Sequence, residues 1–304
     1  KVYKKDLAPF LENIMPEIFK TLQQDEFNFN VDDDAEDDED EDFNDKFKVH
    51  TGITIEKGIA AVALGELALG TADLFAPYIE ESVNILSEQV TESYGMRDAA
   101  LATLWKVIQA VIEGSIEKKK YPKGVPTGSY VDANILVLIQ KARELSISTL
   151  SEEFEINMVV SILDTFSELI KNYGPIIALD NGDSTQLEAL CAELMQLLKG
   201  QHPCQTLDDD EVQEEEQDDV DASETEALLL ESALEVLVNL ATALGPDFNK
   251  IFESFQSVIA ANVNSQSKNK RVFAIGALAE ISLGLKESNP YTEDLLQLFI
   301  QKLE

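Results

Sequence analysis

Apolar residues recur at three- and four-residue steps along most of the chain. In the first such stretch they are Leu7, Leu11, Ile14, Ile18 and Leu22, which form one apolar stripe along a helix. The same period returns in ten further stretches, and Gly, Pro or Asn separates them, as in "YGP" at 173–175 and "LGPD" at 244–247. Alternating, strand-like runs are nearly absent. The pattern predicts an all-α protein.

Similar segments recur along the chain, which indicates internal repeats. "ALGELALG" (63–70) matches "ALAEISLG" (277–284), and "SILDTFSELIKNYGP" (161–175) aligns with "SALEVLVNLATALGP" (232–246). Each unit has one helix that opens near a proline, then a turn, then a second helix with small residues along one seam. This pattern resembles the HEAT repeat, whose paired helices A and B bury an apolar face only against neighbouring repeats.

The predicted fold is an all-α, HEAT-repeat superhelical solenoid, continuous over residues 1–304, with about five A/B helix pairs and a terminal A helix. The pairs are 5–24 with 54–70, 73–91 with 95–113, 131–151 with 154–173, 185–199 with 225–243, and 247–265 with 268–286, followed by 290–304. Three connections are long: an acidic A–B loop at 25–49, an inter-repeat loop at 115–131 and an acidic A–B loop at 200–224. Both ends fall within the helical pattern, so we expect a segment of a longer protein.

Two blocks of acidic residues carry most of the charge. The net charge of the chain is −35. The first block, from Asp25 to Asp45, has thirteen Asp or Glu residues and no Lys or Arg. The second block, from Asp208 to Glu226, has twelve Asp or Glu residues and again no Lys or Arg. Direct nucleic-acid binding is not expected, because phosphate would be repelled. The blocks are either solvated linkers or attractors of a strongly basic partner. Their central residues are Asp32, Asp33, Asp34, Glu36, Asp37, Asp38, Glu39, Asp40, Glu41, Asp42, Asp208, Asp209, Asp210, Glu211, Glu214, Glu215, Glu216, Asp218 and Asp219.

HEAT units with an acidic insertion inside one repeat resemble the importin-β (karyopherin-β) transport receptors. "EKGIAAVALGELA" and "RVFAIGALAEISLGLK" are most similar to the importin-4-like branch. The resemblance covers the whole chain and implies a central-to-late segment of a receptor. It also implies nuclear import of basic cargo such as histones and ribosomal proteins, release by Ran bound to GTP, contact with nucleoporin FG repeats, and shuttling between cytoplasm and nucleus.

The resemblance places the B helices on the concave side, where cargo would bind. Positions i, i+4, i+7 and i+11 of a helix lie on one face, and in the middle three repeats this face is polar. The candidate cargo-binding residues are Asp98, Trp105, Gln109, Asn157, Ser161, Asp164, Glu168, Ser232, Glu235 and Asn239. The carboxylates would accept from lysine, and the Asn and Ser side chains would bond a peptide backbone.

Trp105 is the only tryptophan, and its position on this column holds Gly65 or Ala279 in other repeats. We expect its ring to be at least partly exposed, as a seat for a lysine ammonium. The alternative is that Trp105 fills a gap between adjacent B helices. Lys57, Arg97 and Arg271 share another column and are expected to pair with the preceding turn.

Little in the sequence supports catalysis, a metal or a cofactor. "HPC" (202–204) holds one His and one Cys, far short of four zinc ligands. No glycine-rich phosphate loop occurs, and the acidic runs lack the Gly and closing Glu of a calcium loop. We expect no enzyme activity and no membrane span. The lysines of "EKKKYPKG" (117–124) are expected to be solvated.

Two other classes of function fit the same residues. A non-transport HEAT scaffold, such as a phosphatase or kinase regulatory subunit, would bind folded partners through ridges and loops. An acidic histone chaperone would bind histones through the acidic blocks. A basic import signal tested with and without Ran bound to GTP separates the three classes, because a scaffold ignores Ran and a chaperone shows no nucleotide-dependent competition.

Overall fold

Paired helices make up the computed structural model of this protein, which describes residues 6–24, 39–92, 94–126, 130–180, 182–206 and 219–303. Within those residues the backbone forms eleven α-helices and no β-strand, so the all-α prediction is confirmed. The helices are α1 (Ala8–Leu22), α2 (Glu39–Thr71), α3 (Ile79–Glu92), α4 (Arg97–Glu113), α5 (Ala133–Glu152), α6 (Ile156–Tyr173), α7 (Thr185–Lys199), α8 (Asp219–Leu244), α9 (Asn249–Asn262), α10 (Lys268–Leu285) and α11 (Thr292–Leu303).

Odd-numbered helices take the A position and even-numbered helices the B position of each pair. The chain divides into two compact units, Lys1–Ser115 and Ile116–Glu304. In the first unit α2 packs against α1 and α4. In the second unit α8 packs between α6 and α10, and α7 packs between α5 and α9. Helices therefore contact both the partner of their own pair and neighbours within their own layer, as in a HEAT-repeat solenoid.

Small residues let adjacent B helices approach closely. A Cβ built on Gly284 of α10 would lie 3.0 Å from the carbonyl carbon of Ala241 in α8. In the first unit, the Thr103 hydroxyl of α4 donates to the Ala61 carbonyl of α2 at 3.1 Å, a contact that a larger side chain at position 61 would obstruct. The small-residue seam in the sequence therefore corresponds to the interface between successive B helices.

Two B helices begin earlier than the sequence predicts. The acidic loops were expected to span 25–49 and 200–224, but α2 begins at Glu39 and α8 at Asp219. Glu39, Asp40, Glu41 and Asp42 thus fall in the first turn of α2. Acidic residues at a helix amino terminus are stabilised by the helix dipole, which explains why the acidic sequence does not prevent the helix. The other central residues of the two blocks lie outside the described residues: Asp32, Asp33, Asp34, Glu36, Asp37, Asp38, Asp208, Asp209, Asp210, Glu211, Glu214, Glu215, Glu216 and Asp218.

The connection between α4 and α5 is more than a solvated loop. The lysines of residues 117–124 are exposed, as expected, but Ile116 and Val131 are buried. The Tyr130 hydroxyl donates to the Tyr173 carbonyl at 3.3 Å, and burial is the main reason that the pKa of Tyr130 is raised to about 12. The backbone of this connection packs on the second unit.

His202 fixes the connection that follows α7, of which the structure describes residues 200–206. Its Nε2–H donates to the Leu150 carbonyl at 2.8 Å, and its Nδ1 accepts from the Cys204 N–H at 3.3 Å. The imidazole is buried, and burial lowers its pKa. Because both ring nitrogens are engaged by the fold, His202 ties this connection to the end of α5.

Arg271 and Lys57, which share the predicted structural column, bond to different parts of the fold. Arg271 donates from Nη1 to the carbonyls of Ser265 and Gln266, each at 2.8 Å, in the turn before α10, as predicted. Lys57 is buried and donates instead to Gln89 Oε1 of α3 at 3.1 Å. Lys57 therefore links two repeats, whereas Arg271 caps a turn within one.

By length and composition alone, two stretches of the described residues could cross a membrane, Gly52–Thr91 and Glu224–Asn262. The sequence prediction did not anticipate them. Each contains two helices joined by a turn. In the second stretch 78% of the most apolar window is buried within the protein, against 39% in the first. Packing of α8 between α6 and α10 accounts for the apolar composition of the second stretch.

Candidate functional site

The exposed face of α6 is the face that the sequence predicts. Asn157, Asp164 and Glu168 are exposed, and Ser161 is half-buried. The rest of the helix is apolar and packs inward, with Leu163, Phe166 and Ile170 fully buried. The four candidates therefore follow one another along the solvent side of α6.

The exposed face of α8 differs from the prediction. Ser232 and Asn239 are only 3% and 7% exposed, and Asn239 Nδ2 donates to Ser167 Oγ of α6 at 2.7 Å. These two candidates therefore face the interior of the helix layer and not a ligand. The solvent side of α8 carries Leu228, Glu231 and Glu235 instead. Of these, sequence reasoning selected Glu235 and missed Glu231, which is four residues before Glu235 on the same face.

Trp105 is also buried, with 3% of its surface exposed. The expectation of a partly exposed ring is wrong. The solvent side of α4 includes the half-exposed Lys106, one residue after Trp105, and not Trp105 itself. Asp98 is exposed on that side, and Gln109 is half-buried. Trp105 fills space among the helices of the first unit, which is the packing role that the sequence left open.

Polar side chains of α2 and α4 contact one another on the B helices of the first unit. Lys106 Nζ of α4 lies 3.0 Å from Glu66 Oε1 of α2, and Gln109 Nε2 donates to Glu113 Oε1 at 3.1 Å. Lys106 and Glu66 were not among the predicted residues. Asp98 and Gln109 are the predicted candidates that remain accessible here.

Carboxylates from α6 and α8 lie within electrostatic range of one another in the second unit. Burial raises the pKa of Glu231, and the negative charges of Glu235 and Asp164 raise it further. Like charges at this separation disfavour one another's ionisation. A cation placed among the three carboxylates would relieve that repulsion.

A groove between α8 and α10 extends this acidic surface. Its volume is about 330 Å³. Glu231 and Glu235 line one side and Glu280 the other, while Leu234, Val238 and Ala277 provide apolar surface between them. Such a groove suits a lysine side chain, whose methylene stem packs on apolar atoms while its ammonium bonds carboxylates. We call Asp164, Glu168, Glu231, Glu235 and Glu280 the acidic face.

A second groove lies in the A layer, between α7 and α9. Its volume is about 860 Å³, and its walls are mainly apolar, with Leu187, Cys191 and Met195 on α7 and Ile251 and Phe255 on α9. Burial raises the pKa of the Cys191 thiol to about 12, so this thiol is a poor nucleophile at neutral pH. The walls of the groove match the surface of an apolar side chain.

The part of the chain that the structure describes contains no group of three or more His, Cys, Asp or Glu residues placed to hold a metal ion. Cys204 has its pKa raised to about 11, chiefly by burial.

Comparison with known proteins identifies the family to which this arrangement of repeats belongs. The chain is 32% identical, over 328 residues, to the probable importin subunit beta-4 of Schizosaccharomyces pombe, and the match covers 100% of this chain and 30% of that relative. The chain belongs to the importin-β family. It spans under a third of the length of this importin-β relative. No protein-family model matches the chain.

Solved structures of the karyopherin Kap121p share the fold of this importin-β family member. Kap121p bound to the SUMO protease Ulp1p is similar with a TM-score of 0.67 and 16% identity, over 98% of this chain and 26% of Kap121p. Kap121p bound to RanGTP gives a TM-score of 0.55 and 14% identity, over 95% of this chain and 30% of that chain. At these identities the likeness concerns the fold, and it confirms the prediction of a HEAT-repeat solenoid.

Proposed function

We propose that this importin-β family chain is the part of a nuclear transport receptor that holds a lysine-rich segment of basic cargo on its acidic face. The carrying observation is the groove between α8 and α10, where Glu231, Glu235 and Glu280 flank apolar surface. Burial raises the pKa of Glu231, and the negative charges of Glu235 and Asp164 raise it further. The unrelieved repulsion favours binding of a cation. The groove beside them supplies the apolar surface that a lysine stem requires.

Binding would require several contacts at once. An exposed ion pair contributes only about 0–1 kcal/mol, so one lysine on one carboxylate would not hold a cargo. An extended segment can place successive lysines on α6, α8 and α10, and can bond its backbone to Asn157 and Ser161. Asp98 and Gln109 are candidate contacts in the first unit, whereas Trp105, Ser232 and Asn239 are excluded as direct contacts by their burial.

The acidic segments would act before contact. Asp208–Asp218 and Asp32–Asp42 carry charge of one sign, which attracts a basic protein at a range set by the ionic strength. Histones and ribosomal proteins are the cargo that the family resemblance implies, and their basic segments have the required charge. Kap121p has been crystallised with several protein partners, among them Ulp1p, which supports protein cargo for a receptor of this fold.

Two further partners belong to the same proposal. Ran bound to GTP would release the cargo in the full-length receptor, as supported by a structure of Kap121p with RanGTP. Nucleoporin FG repeats would place phenylalanine side chains in apolar sites away from the cargo, and the groove between α7 and α9 has the matching chemistry. These partners imply a receptor that moves between cytoplasm and nucleus.

Titration with a fluorescent lysine-rich peptide tests the proposal. Glu231→Gln and Glu235→Gln should each lower the affinity about two- to five-fold, as expected for exposed ion pairs. Glu253→Gln changes an exposed carboxylate of α9, on the A layer, and serves as the control. Equal effects of all three substitutions would mean that only net charge matters, and the proposed site would be wrong.

Competition by Ran, measured on the full-length receptor, separates the classes of function. A transport receptor should release the peptide when Ran bound to GTP is added and retain it when Ran is bound to GDP. A HEAT scaffold would not bind the peptide on the acidic face, and an acidic histone chaperone would bind it with no effect of the nucleotide. Either outcome would overturn the transport proposal.

A further inference from the structure

A segment between α4 and α5 lies across the carboxyl-terminal ends of two B helices. The Lys119 N–H donates to the Asn172 carbonyl of α6 at 2.7 Å, and the Gly124 N–H donates to the Ala243 carbonyl of α8 at 2.9 Å. Both carbonyls are among the last four of their helices, which have no partner within the helix. We call residues 116–126 the strap. The strap satisfies the ends of two adjacent helices at once.

Side-chain contacts fix the strap at both of these ends. The Tyr121 ring lies on Gly174, directly after α6, and a Cβ built on Gly174 would be 2.3 Å from Tyr121 Cδ2. At the other end, the Val125 N–H donates to Asp247 Oδ2 at 2.8 Å, in the turn that follows α8. Because only glycine leaves room for the ring, any larger residue at position 174 would push Tyr121, and with it the strap, away from the end of α6.

The lysines of the strap have a physical reason to be there. Lys118, Lys119, Lys120 and Lys123 are exposed, in the segment that crosses the carboxyl-terminal ends of α6 and α8. Positive charge is stabilising beside a helix carboxyl terminus. The lysine cluster that stands out in this acidic chain thus complements the two helix ends to which the strap backbone is bonded.

This contact adds a second connection between two neighbouring repeats, whose helices α6 and α8 also pack directly on one another. In a solenoid each repeat contacts only its immediate neighbours, and the free energy of opening one repeat depends on those interfaces alone. The strap precedes the third repeat, α5 and α6, and reaches the end of the fourth, α7 and α8. We propose that the strap couples these two repeats, so that the carboxyl-terminal ends of α6 and α8 open together.

The coupling has a consequence for the acidic face that rests on the proposed function. Asp164 and Glu168 stand on α6, whereas Glu231 and Glu235 stand on α8. A strap bonded to both helices limits how far the two can separate or slide. The carboxylates are therefore held at a fixed spacing before cargo arrives, which reduces the entropy lost on binding.

Amide hydrogen exchange in a pair of glycine variants tests the coupling. Gly174→Ala places a methyl group in the Tyr121 ring and should raise exchange of the Lys119 and Gly124 amides at least tenfold. The last turns of α6 and α8 should become faster together. Gly182→Ala is the matched control: Gly182 has a φ of +80° against +85° at Gly174, but no atom lies within 4 Å of its added Cβ. An exchange increase confined to α6 would overturn the coupling.

A second variant covers the case in which Gly174→Ala does not fold. Asp247→Ala removes the acceptor of the Val125 N–H, beyond α8, and should speed exchange at the end of α6. A change confined to the turn at Asp247 would overturn the proposal. Peptide titration of the same variants tests separately whether the strap pre-orders the acidic face for cargo. If the coupling is lost but the peptide affinity is unchanged, the pre-ordering claim is wrong and the coupling itself remains supported.

Discussion

At the scale of the residue, burial decides which of the polar and aromatic side chains can meet a partner. Trp105 and Asn239 both lie on helices whose sequences are apolar on several sides. Asn239 is tolerated inside because Ser167 accepts its hydrogen bond, whereas an unpaired buried amide would be costly. Exposed residues on the same helices, such as Glu235, are free of that requirement. The division between packing and binding therefore runs within single helices.

Trp105→Ala should lower the free energy of unfolding by about 3–5 kcal/mol, as expected for removal of a buried tryptophan. It should leave the affinity for a lysine-rich peptide unchanged. Urea unfolding and peptide titration of the same protein measure the two effects. Glu88→Ala, at an exposed position of α3, is the control and should change stability by no more than about 0.5 kcal/mol. Weakened peptide binding with an unchanged free energy of unfolding would mean that Trp105 contacts the peptide and is not a packing residue.

His202 should make stability depend on pH. Burial lowers its pKa in the folded protein, so the unfolded chain takes up a proton at a higher pH than the folded protein does. The stability that His202 provides is therefore fully present above its ordinary pKa and is lost as the pH falls through the folded value. Urea unfolding between pH 7.5 and 5 should show the advantage of the native protein over His202→Gln shrinking. A constant difference would contradict the assignment.

At the scale of the element, the sequence predicts helix existence well and helix faces unevenly. The solvent face of α6 follows from its i, i+4, i+7 column because that helix has one clearly polar side. The face of α8 does not, because α8 is packed between α6 and α10 and most of its circumference is apolar. Its correct register depends on Ser167 of another helix, which no local pattern reveals. The strap was missed for the same reason, since its partners lie about 50 to 120 residues away in the chain.

Two glycines of α10 should respond oppositely to alanine. Gly284→Ala places a methyl group 3.0 Å from the backbone of α8 and should destabilise the protein, because backbone cannot move aside easily. Gly276→Ala meets no atom within 4 Å and should stabilise the helix by about 0.5–1 kcal/mol. Thermal unfolding of the two variants measures the difference. Stabilisation by both would mean that the α8–α10 interface is looser than described.

At the scale of the whole molecule, acidic residues are concentrated in two segments of the sequence and also meet where α6, α8 and α10 pack side by side. The sequence alone reveals the acidic blocks, because they are contiguous. It cannot reveal the acidic face, because Asp164, Glu231 and Glu280 are far apart in the chain and meet only when α6, α8 and α10 pack side by side. Under the proposed function, the acidic segments would supply the long-range attraction and the acidic face the short-range fit.

Replacing the acids between Asp208 and Asp218 by Ser and Gly should slow the association of a basic peptide. The effect should be largest at about 0.01 M salt, where the Debye length is about 30 Å. Dissociation should change less, because the acidic face is intact. Stopped-flow fluorescence at several salt concentrations measures both rates. Unaltered association at every salt concentration would show that the segment does not attract cargo.

Charge reversal on the acidic face tests the central claim most directly. Isothermal titration should show that Glu231→Lys/Glu235→Lys lowers the affinity for a lysine-rich peptide at least tenfold. The same double variant should bind a peptide whose lysines are replaced by glutamate more tightly than the native protein does. The control Glu253→Lys/Glu188→Lys makes the same change in net charge at exposed positions of the A layer and should alter the affinity little. Equal losses in both double variants, without rescue by the acidic peptide, would contradict a cargo site on this face.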